Sequence, residues 1–263
     1  MSLSTGEESR MREEVLLADR DGVLEVTINR PEQRNAMTKA VAEAIAAAMD
    51  QLESSDHLRC AILTGAGGSF CAGMDLKGFL RGELPVDARG GFGGICTWTP
   101  RKPIIAAVDG PALAGGFELA LACDLIVANQ NARFGIPEVK RGLVAAGGGL
   151  VQLPRLLPRA LAMELALTGD PIGAERALEL GLINRMTDGP AIDAARELAQ
   201  RIVANGPLAV GASKAIVRDS WLWEVDRLNQ HQRAHVEPVF RSEDATEGAR
   251  AFAEKRAPVW KGR

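Results

Sequence analysis

The chain lacks most of the features that narrow a function quickly. Its four cysteines, at 60, 71, 96 and 123, stand far apart and form no CxxC. That spacing argues against a disulfide framework or a zinc site, and fits a reduced, cytoplasmic setting. No run of about 18 apolar residues occurs, so no membrane-spanning helix is expected. The first residues, MSLSTGEESRMREE, are polar and hold no apolar signal-peptide core. We read residues 1–14 as a tail outside the fold. Charge of one sign is also missing: 31 basic against 34 acidic side chains leave a formal net charge of -3. Such a balance gives no reason to expect nucleic acid or an anionic membrane as partner.

Familiar short motifs are absent as well. Gly65-x-Gly67 would need a glycine at 70 to make a dinucleotide-binding turn, and Phe70 stands there. Neither GxxxxGK[ST] nor GxSxG occurs. His231 and His235 share a helix face, but Gln232 replaces the glutamate of HExxH. They read as packing or surface histidines, and no metal is expected. Trp221 and Trp223 read as core or interface residues rather than a ligand cage.

What remains is ordinary globular composition, 46% hydrophobic and 25% charged over 263 residues. The expected organisation is an α/β core over 15–195 and a helical C-terminal region over 196–263. The central stretch is 103–127, PIIAAVDGPALAGGFELALACDLIV. Its apolar run at 104–108, bounded by Asp-Gly, reads as a buried strand. A glycine turn, a helix over 117–123 and a second buried run over 125–128 follow.

Upstream, 15–18 and 23–29 read as strands of a hairpin turned at Asp21-Gly22. A loop, 30–37, precedes a helix capped by Thr38, with apolar residues at 41, 45, 48 and 52. Residues 60–64 read as another buried strand. Between 78 and 94, six glycines and a proline argue against a long regular helix, leaving a lid beside a site or a plain surface loop. Downstream, helices are expected over 159–167, 174–180, 191–204, 208–219 and 221–240. A short one is expected inside 243–263.

Two glycine-rich turns sit at strand ends, 65–74 and 110–116. N–H groups from separate turns can converge on one oxygen and make an oxyanion hole. Either turn alone is explained by tight turning; the pair gains meaning if acid–base side chains lie near. Glu118 is one such group. It sits in the first turn of an apolar helix, so burial would raise its pKa toward useful values. The plainer alternative is a surface glutamate answering the helix dipole. Glu138 alone is an ordinary loop carboxylate, but two carboxylates flanking one substrate can divide acid and base roles.

The segments NRPEQRNAM (29–37), GAGGSFCAGMDLK (65–77), AAVDGPALAGGFELALACD (106–124) and FGIPEVKRGL (134–143) together resemble the crotonase (enoyl-CoA hydratase/isomerase) superfamily. The resemblance runs from about residue 15 to 263. The tail, FAEKRAPVWKGR (252–263), looks especially like that of carnitinyl-CoA dehydratases. It implies a spiral of ββα turns with a helical C-terminal trimerisation region, and so a homotrimer or hexamer. An acyl-CoA thioester substrate is implied, with coenzyme A part of the substrate and no separate cofactor.

Met74 and Gly115 match the two oxyanion-hole N–H donors. Glu118 and Glu138 match the two catalytic glutamates of hydratases. Arg34, Asn35 and Ala36, with Ala72, Asp75, Leu76 and Lys77, match the region that cradles coenzyme A. Phe252 and Lys255 match a tail position that reaches it in some members from a neighbouring subunit. Typical hydratases carry Pro-Gly where Ala145-Ala146 stand here. The implied activity is reversible hydration of a 2-enoyl-CoA. Carnitinyl-CoA dehydratase or isomerase chemistry on the same scaffold is the alternative, and a non-catalytic binding paralogue ranks last.

Overall fold

A computed structural model describes residues 14–98 and 100–263. The expected tail lies outside the described residues except for Glu14, which joins the fold. Its carbonyl accepts from the Asn29 N–H at 2.7 Å, and its carboxylate pairs with Arg30 at 3.1 Å.

The chain opens with β1 (Val15–Arg20) and β2 (Val23–Ile28), an antiparallel hairpin. Asp21 and Gly22 both take positive φ, 52° and 82°, as the tight Asp-Gly turn requires. Helix α1 (Lys39–Ser54) follows, with the Thr38 side chain accepting from the Val41 N–H at 3.2 Å. Next come β3 (Cys60–Gly65), the short α2 (Leu76–Leu80) and a two-residue hairpin, β4 (Val86–Asp87) with β5 (Gly91–Phe92). The central stretch supplies β6 (Ile104–Val108), β7 (Pro111–Leu113) and α3 (Gly115–Ala122). Then come β8 (Leu125–Asn129), β9 (Arg133–Gly135), α4 (Gly149–Leu156), α5 (Arg159–Thr168), β10 (Ile172–Gly173), α6 (Ala174–Glu179) and β11 (Arg185–Thr187). Four helices finish the chain: α7 (Ala191–Val203), α8 (Pro207–Asp219), α9 (Leu228–Phe240) and α10 (Glu243–Glu254).

Six strands form the main sheet in the order β1-β2-β3-β6-β8-β11, parallel from β2 onward. Parallel strands covered on both faces read as continuous apolar runs, as β3 and β6 do. Their side chains alternate between two cores. Ala61, Leu63, Ile104, Ala106 and Val108 face the larger one, with α1 and α3. Cys60, Ile62, Ile105 and Ala107 face Ala191, Ala195 and Ala199 of α7. Alanine at every fourth position lets that helix lie close to the strands. Helix α7 therefore belongs with the sheet, and the division expected at 195/196 falls inside it.

A second, smaller layer is β10-β9-β7. Two isolated bridges, Cys71 with Ala112 and Met37 with Met74, continue it toward the N-terminus. Each repeat thus runs from a main-sheet strand to a short strand or bridge of this layer and on into a helix. That is the ββα spiral the sequence led us to expect. The helix expected over 221–240 is shorter: Trp223 and Glu224 are extended, and α9 starts at Leu228.

Candidate active site

The second layer is where the two glycine turns meet. Leu113 N–H donates to the Cys71 carbonyl at 3.0 Å. Gly73, at φ +93°, lies so close to the next turn that a β-carbon on it would sit 2.8 Å from Ala114 Cβ and 3.2 Å from the Gly115 nitrogen. Only a residue without a side chain permits that approach at that φ. The contact brings the backbone at Met74 beside the first residue of α3. Neither the Met74 N–H nor the Gly115 N–H is donated to any group among the described residues. The Gly115 N–H is one of the unpaired donors at a helix start, where the dipole also favours negative charge. Ala114, just before it, has φ 55° and ψ -133°. Such a conformation costs a side-chain-bearing residue on the order of 1–3 kcal/mol and marks the turn as over-determined by its surroundings.

These amides open onto a cavity of about 510 Å³. Glu118 and Glu138 line it together with Met74 and Gly115. Glu118 is 3% exposed on the first turn of α3, and its Oε1 accepts from the Gly149 N–H at 2.9 Å. Burial raises its pKa, while the amides of Gly149 and Gly147 oppose the rise. Both glycines are required by the carboxyl itself. A β-carbon at 147 would lie 2.8 Å from Glu118 Oε2, and one at 149 would lie 2.9 Å from Glu118 Cγ.

Glu138 stands on a single 3-10 turn, Pro137–Arg141. Its Oε2 is buried without a hydrogen-bond partner. Burial, with the negative charge of Glu118 adding to it, pushes its pKa up to about 7. One site therefore holds two carboxyls that burial pushes toward the neutral form, with backbone amides of the 147–149 turn opposing the push at Glu118.

The residues matched to coenzyme A divide. Arg34, Ala72 and Leu76 line the cavity. Asn35 does not: it is fully buried, donates to the carbonyls of Ala66 and Ser69 at 2.8 and 2.7 Å, and accepts from the Arg30 N–H. Its amide ties the 30–37 loop to the first glycine turn. Asp75 caps α2 through the N–H groups of Lys77 and Gly78, and pairs with Arg30 at 3.3 Å. Ala36 lends its carbonyl to Arg30, and Lys77 is exposed. Phe252, 89% exposed, and Lys255, in a left-handed cap, end α10; neither lines this cavity.

Of the two readings of 78–94, a lid beside a site or a plain surface loop, the structure favours a place at the site: Phe79, Leu84, Val86 and Phe92 form part of the wall. The Phe92 ring lies against Gly115, where a β-carbon would meet it at 2.2 Å. Arg141 also lines the cavity. The two histidines of α9 stack on Trp223, with ring centroids 5.3 and 5.8 Å away. Among the described residues no group of His, Cys, Asp or Glu could hold a metal ion.

The enoyl-CoA hydratase/isomerase family profile matches residues 18–263. The chain belongs to that family. A carnitinyl-CoA dehydratase of Salmonella typhi is 44% identical over 263 residues, spanning 96% of this chain and 100% of that protein. The crystal structure of an enoyl-CoA hydratase from Mycobacterium tuberculosis H37Rv superposes with a TM-score of 0.93 at 57% identity, covering 95% of this chain and 100% of that one. A carnitinyl-CoA hydratase from Mycobacterium avium gives 0.76 at 44% identity, covering 96% and 100%. Family membership fits a fold whose layers exist to bring two strand-end turns onto one cavity.

Proposed function

We propose that this family member is an enoyl-CoA hydratase, adding water reversibly across the 2,3 double bond of a 2-enoyl-CoA thioester. The observation that supports this reading best is that a buried glutamate, Glu118, a half-buried one, Glu138, and two undonated main-chain amides, at Met74 and Gly115, line the same cavity. The thioester oxygen takes both amides. Glu118 accepts a proton from water as its oxygen bonds to C3, and electron density moves onto the thioester oxygen. Each donor to such an oxyanion is worth on the order of 10²–10³-fold in rate. The enolate then takes a proton at C2 from Glu138, and proton exchange between the two carboxyls restores the starting state.

Coenzyme A lies along Arg34, Ala72 and Leu76 as part of the substrate, and the reaction calls for no other cofactor. The protein works as a homotrimer or hexamer; Trp221, Leu222 and Val225 leave apolar surface exposed in the C-terminal region. A cytoplasmic setting suits four free cysteines. No described helix is long and apolar enough to cross a membrane.

The second reading, a carnitinyl-CoA dehydratase, draws on the 44% identity to the Salmonella typhi protein and on the tail at 252–263. A panel of acyl-CoA thioesters separates the two by product mass. The central test is Glu118→Gln and Glu138→Gln assayed on 2-butenoyl-CoA. Each should lose about 10²–10⁴-fold in turnover while still binding butyryl-CoA. Turnover at the parent rate in either variant would refute the division of roles.

A further inference from the structure

Arg141 lines the cavity, and its charge opposes the rise in the Glu138 pKa without pairing with that carboxyl. It is the last residue of the 3-10 turn that carries Glu138. That helix has three residues per turn, so residues three apart project over one another on the same face. Glu138 and Arg141 are three apart, and both line the cavity. The position is fixed from behind: Gly142 closes the turn at φ 68°, and Leu143 N–H donates back to the Glu138 carbonyl at 3.1 Å. Among the described residues the Arg141 guanidinium makes no hydrogen bond and no ion pair, whereas its neighbour Lys140 is paired with Asp170. The cavity's acidic lining consists of Glu118 and Glu138. The nearby wall at Leu143, Val144 and Ala146 is apolar.

From this arrangement we infer that Arg141 is a specificity-determining residue for the acyl group, selecting 2-enoyl thioesters whose far end bears a carboxylate. The inference rests on the hydratase reading for where the acyl chain lies. With the thioester oxygen at Met74 and Gly115 and C2 at Glu138, the chain beyond C3 continues past the reacting carbons. There the guanidinium stands one helical turn on from the acid. A guanidinium forks onto a carboxylate through two parallel N–H bonds, an arrangement that lysine cannot copy. A trimethylammonium end group, as in a carnitinyl thioester, meets like charge at the same place. Arg34, on the wall with Ala72 and Leu76, is left for the coenzyme.

The test compares 2-butenoyl-CoA with 4-carboxy-2-butenoyl-CoA, using the full-length protein and its Arg141→Gln and Arg141→Lys variants. The quantity read is the ratio of kcat/KM for the carboxylated over the neutral thioester. It should exceed one in the parent, fall about 10- to 100-fold in Arg141→Gln, and recover only in part in Arg141→Lys. An unchanged ratio overturns the inference. So does an equal loss on both thioesters, which would place Arg141 on the coenzyme or in the fold. Should neither thioester be hydrated by the parent protein, the hydratase reading fails separately. Binding of glutaryl-CoA against butyryl-CoA by calorimetry then decides the matter. Tighter glutaryl-CoA binding that weakens with salt and vanishes in Arg141→Gln supports the selection; equal affinities refute it.

Discussion

Glu118 accepts a hydrogen bond from the Gly149 amide at 2.9 Å, and that contact distinguishes it from the other glutamate of the cavity. Both carboxyls are pushed toward the neutral form by burial. The amides of Gly149 and Gly147 favour the Glu118 anion, whereas the rise at Glu138 is opposed by its own amide and by Arg141, and its Oε2 has no partner. Desolvation thus acts on both groups, but against different local partners, and unlike surroundings are what let two carboxyls divide acid and base roles.

Hydration and dehydration should consequently respond to pH in opposite ways. Hydration needs Glu138 protonated, so its kcat should fall as pH rises through about 7, the value to which burial pushes that group. Dehydration needs it ionised and should rise over the same interval. A stopped-flow pH series in both directions checks this. Parallel limbs would contradict the assignment of Glu138 as the C2 acid. Stability carries the same sign. A carboxyl raised in the folded state favours folding most below its ordinary value, and loses that contribution as pH climbs through the folded one. Glu138→Gln should thus melt higher than the parent protein at about pH 8.5 and show no such gain at about pH 4.

Glycine at 147 and 149 is needed by the carboxyl of Glu118. A methyl at 149 would come within 3.0 Å of Ile136 Cδ1 as well as 2.9 Å of Glu118 Cγ. The smallest adjustment turns the carboxyl away from the amide. Gly149→Ala should fold, yet lose on the order of 10²-fold in kcat, the scale of a displacement of about 1 Å in a reacting group. Its KM should change far less. Circular dichroism with steady-state kinetics checks both halves, and unaltered kcat would show that the bond does not orient the base.

How far this site was legible in the sequence depends on the residue. Glu118 could be read because its neighbours are apolar in every direction along the helix, so burial followed from composition. Glu138 could not; its neighbours look like any loop, and its 3-10 turn is covered by a distant helix, α5, that the local sequence does not announce. Asn35 shows the opposite failure. A polar residue in a loop beside a site looks like a ligand contact, but whether its amide meets a ligand or the carbonyls of Ala66 and Ser69 depends on a turn over thirty residues away. The strands of the main sheet were legible because burial on both faces leaves them unbroken apolar runs. Helix α4 was hidden by the glycines at its start, which serve the carboxyl rather than the helix. For 78–94 a lid and a surface loop both stayed open, because a two-residue hairpin has no periodicity to decide between them.

Ala114 offers a test of the oxyanion turn that leaves the carboxyls alone. At φ 55° and ψ -133° it occupies a region that glycine enters freely. Ala114→Gly should remove strain and retain activity, with a melting temperature equal to or above the parent's. Ala114→Val should cost about 1–3 kcal/mol or shift the turn, and with it the Gly115 N–H. Turnover would then drop with little effect on coenzyme A binding. Equal activity in the valine variant would show that the geometry of this turn does not govern catalysis.

The C-terminal residues act as a strap, and this also can be measured. Asp244, on the first turn of α10, is 4% exposed, and its two oxygens accept from the N–H groups of Lys261 and Gly262 at 2.7 and 2.9 Å. Trp260 between α7 and α10 donates its Nε1–H to the Ala204 carbonyl at 2.8 Å. Its carbonyl accepts from Arg59 at 3.2 Å, next to β3. The last residues thus tie the helical region back to the sheet. Asp244→Ala strands two amides and should cost about 1–3 kcal/mol, or roughly 2–4 °C of melting temperature per kcal/mol for a chain near this size. Asp244→Asn keeps an acceptor and should cost less. Hydrogen exchange should place the extra opening in α10 and at 259–263, with β3 and β6 still protected. A loss spread evenly over the main sheet would mean that the strap is part of the core and not a fastening laid over it.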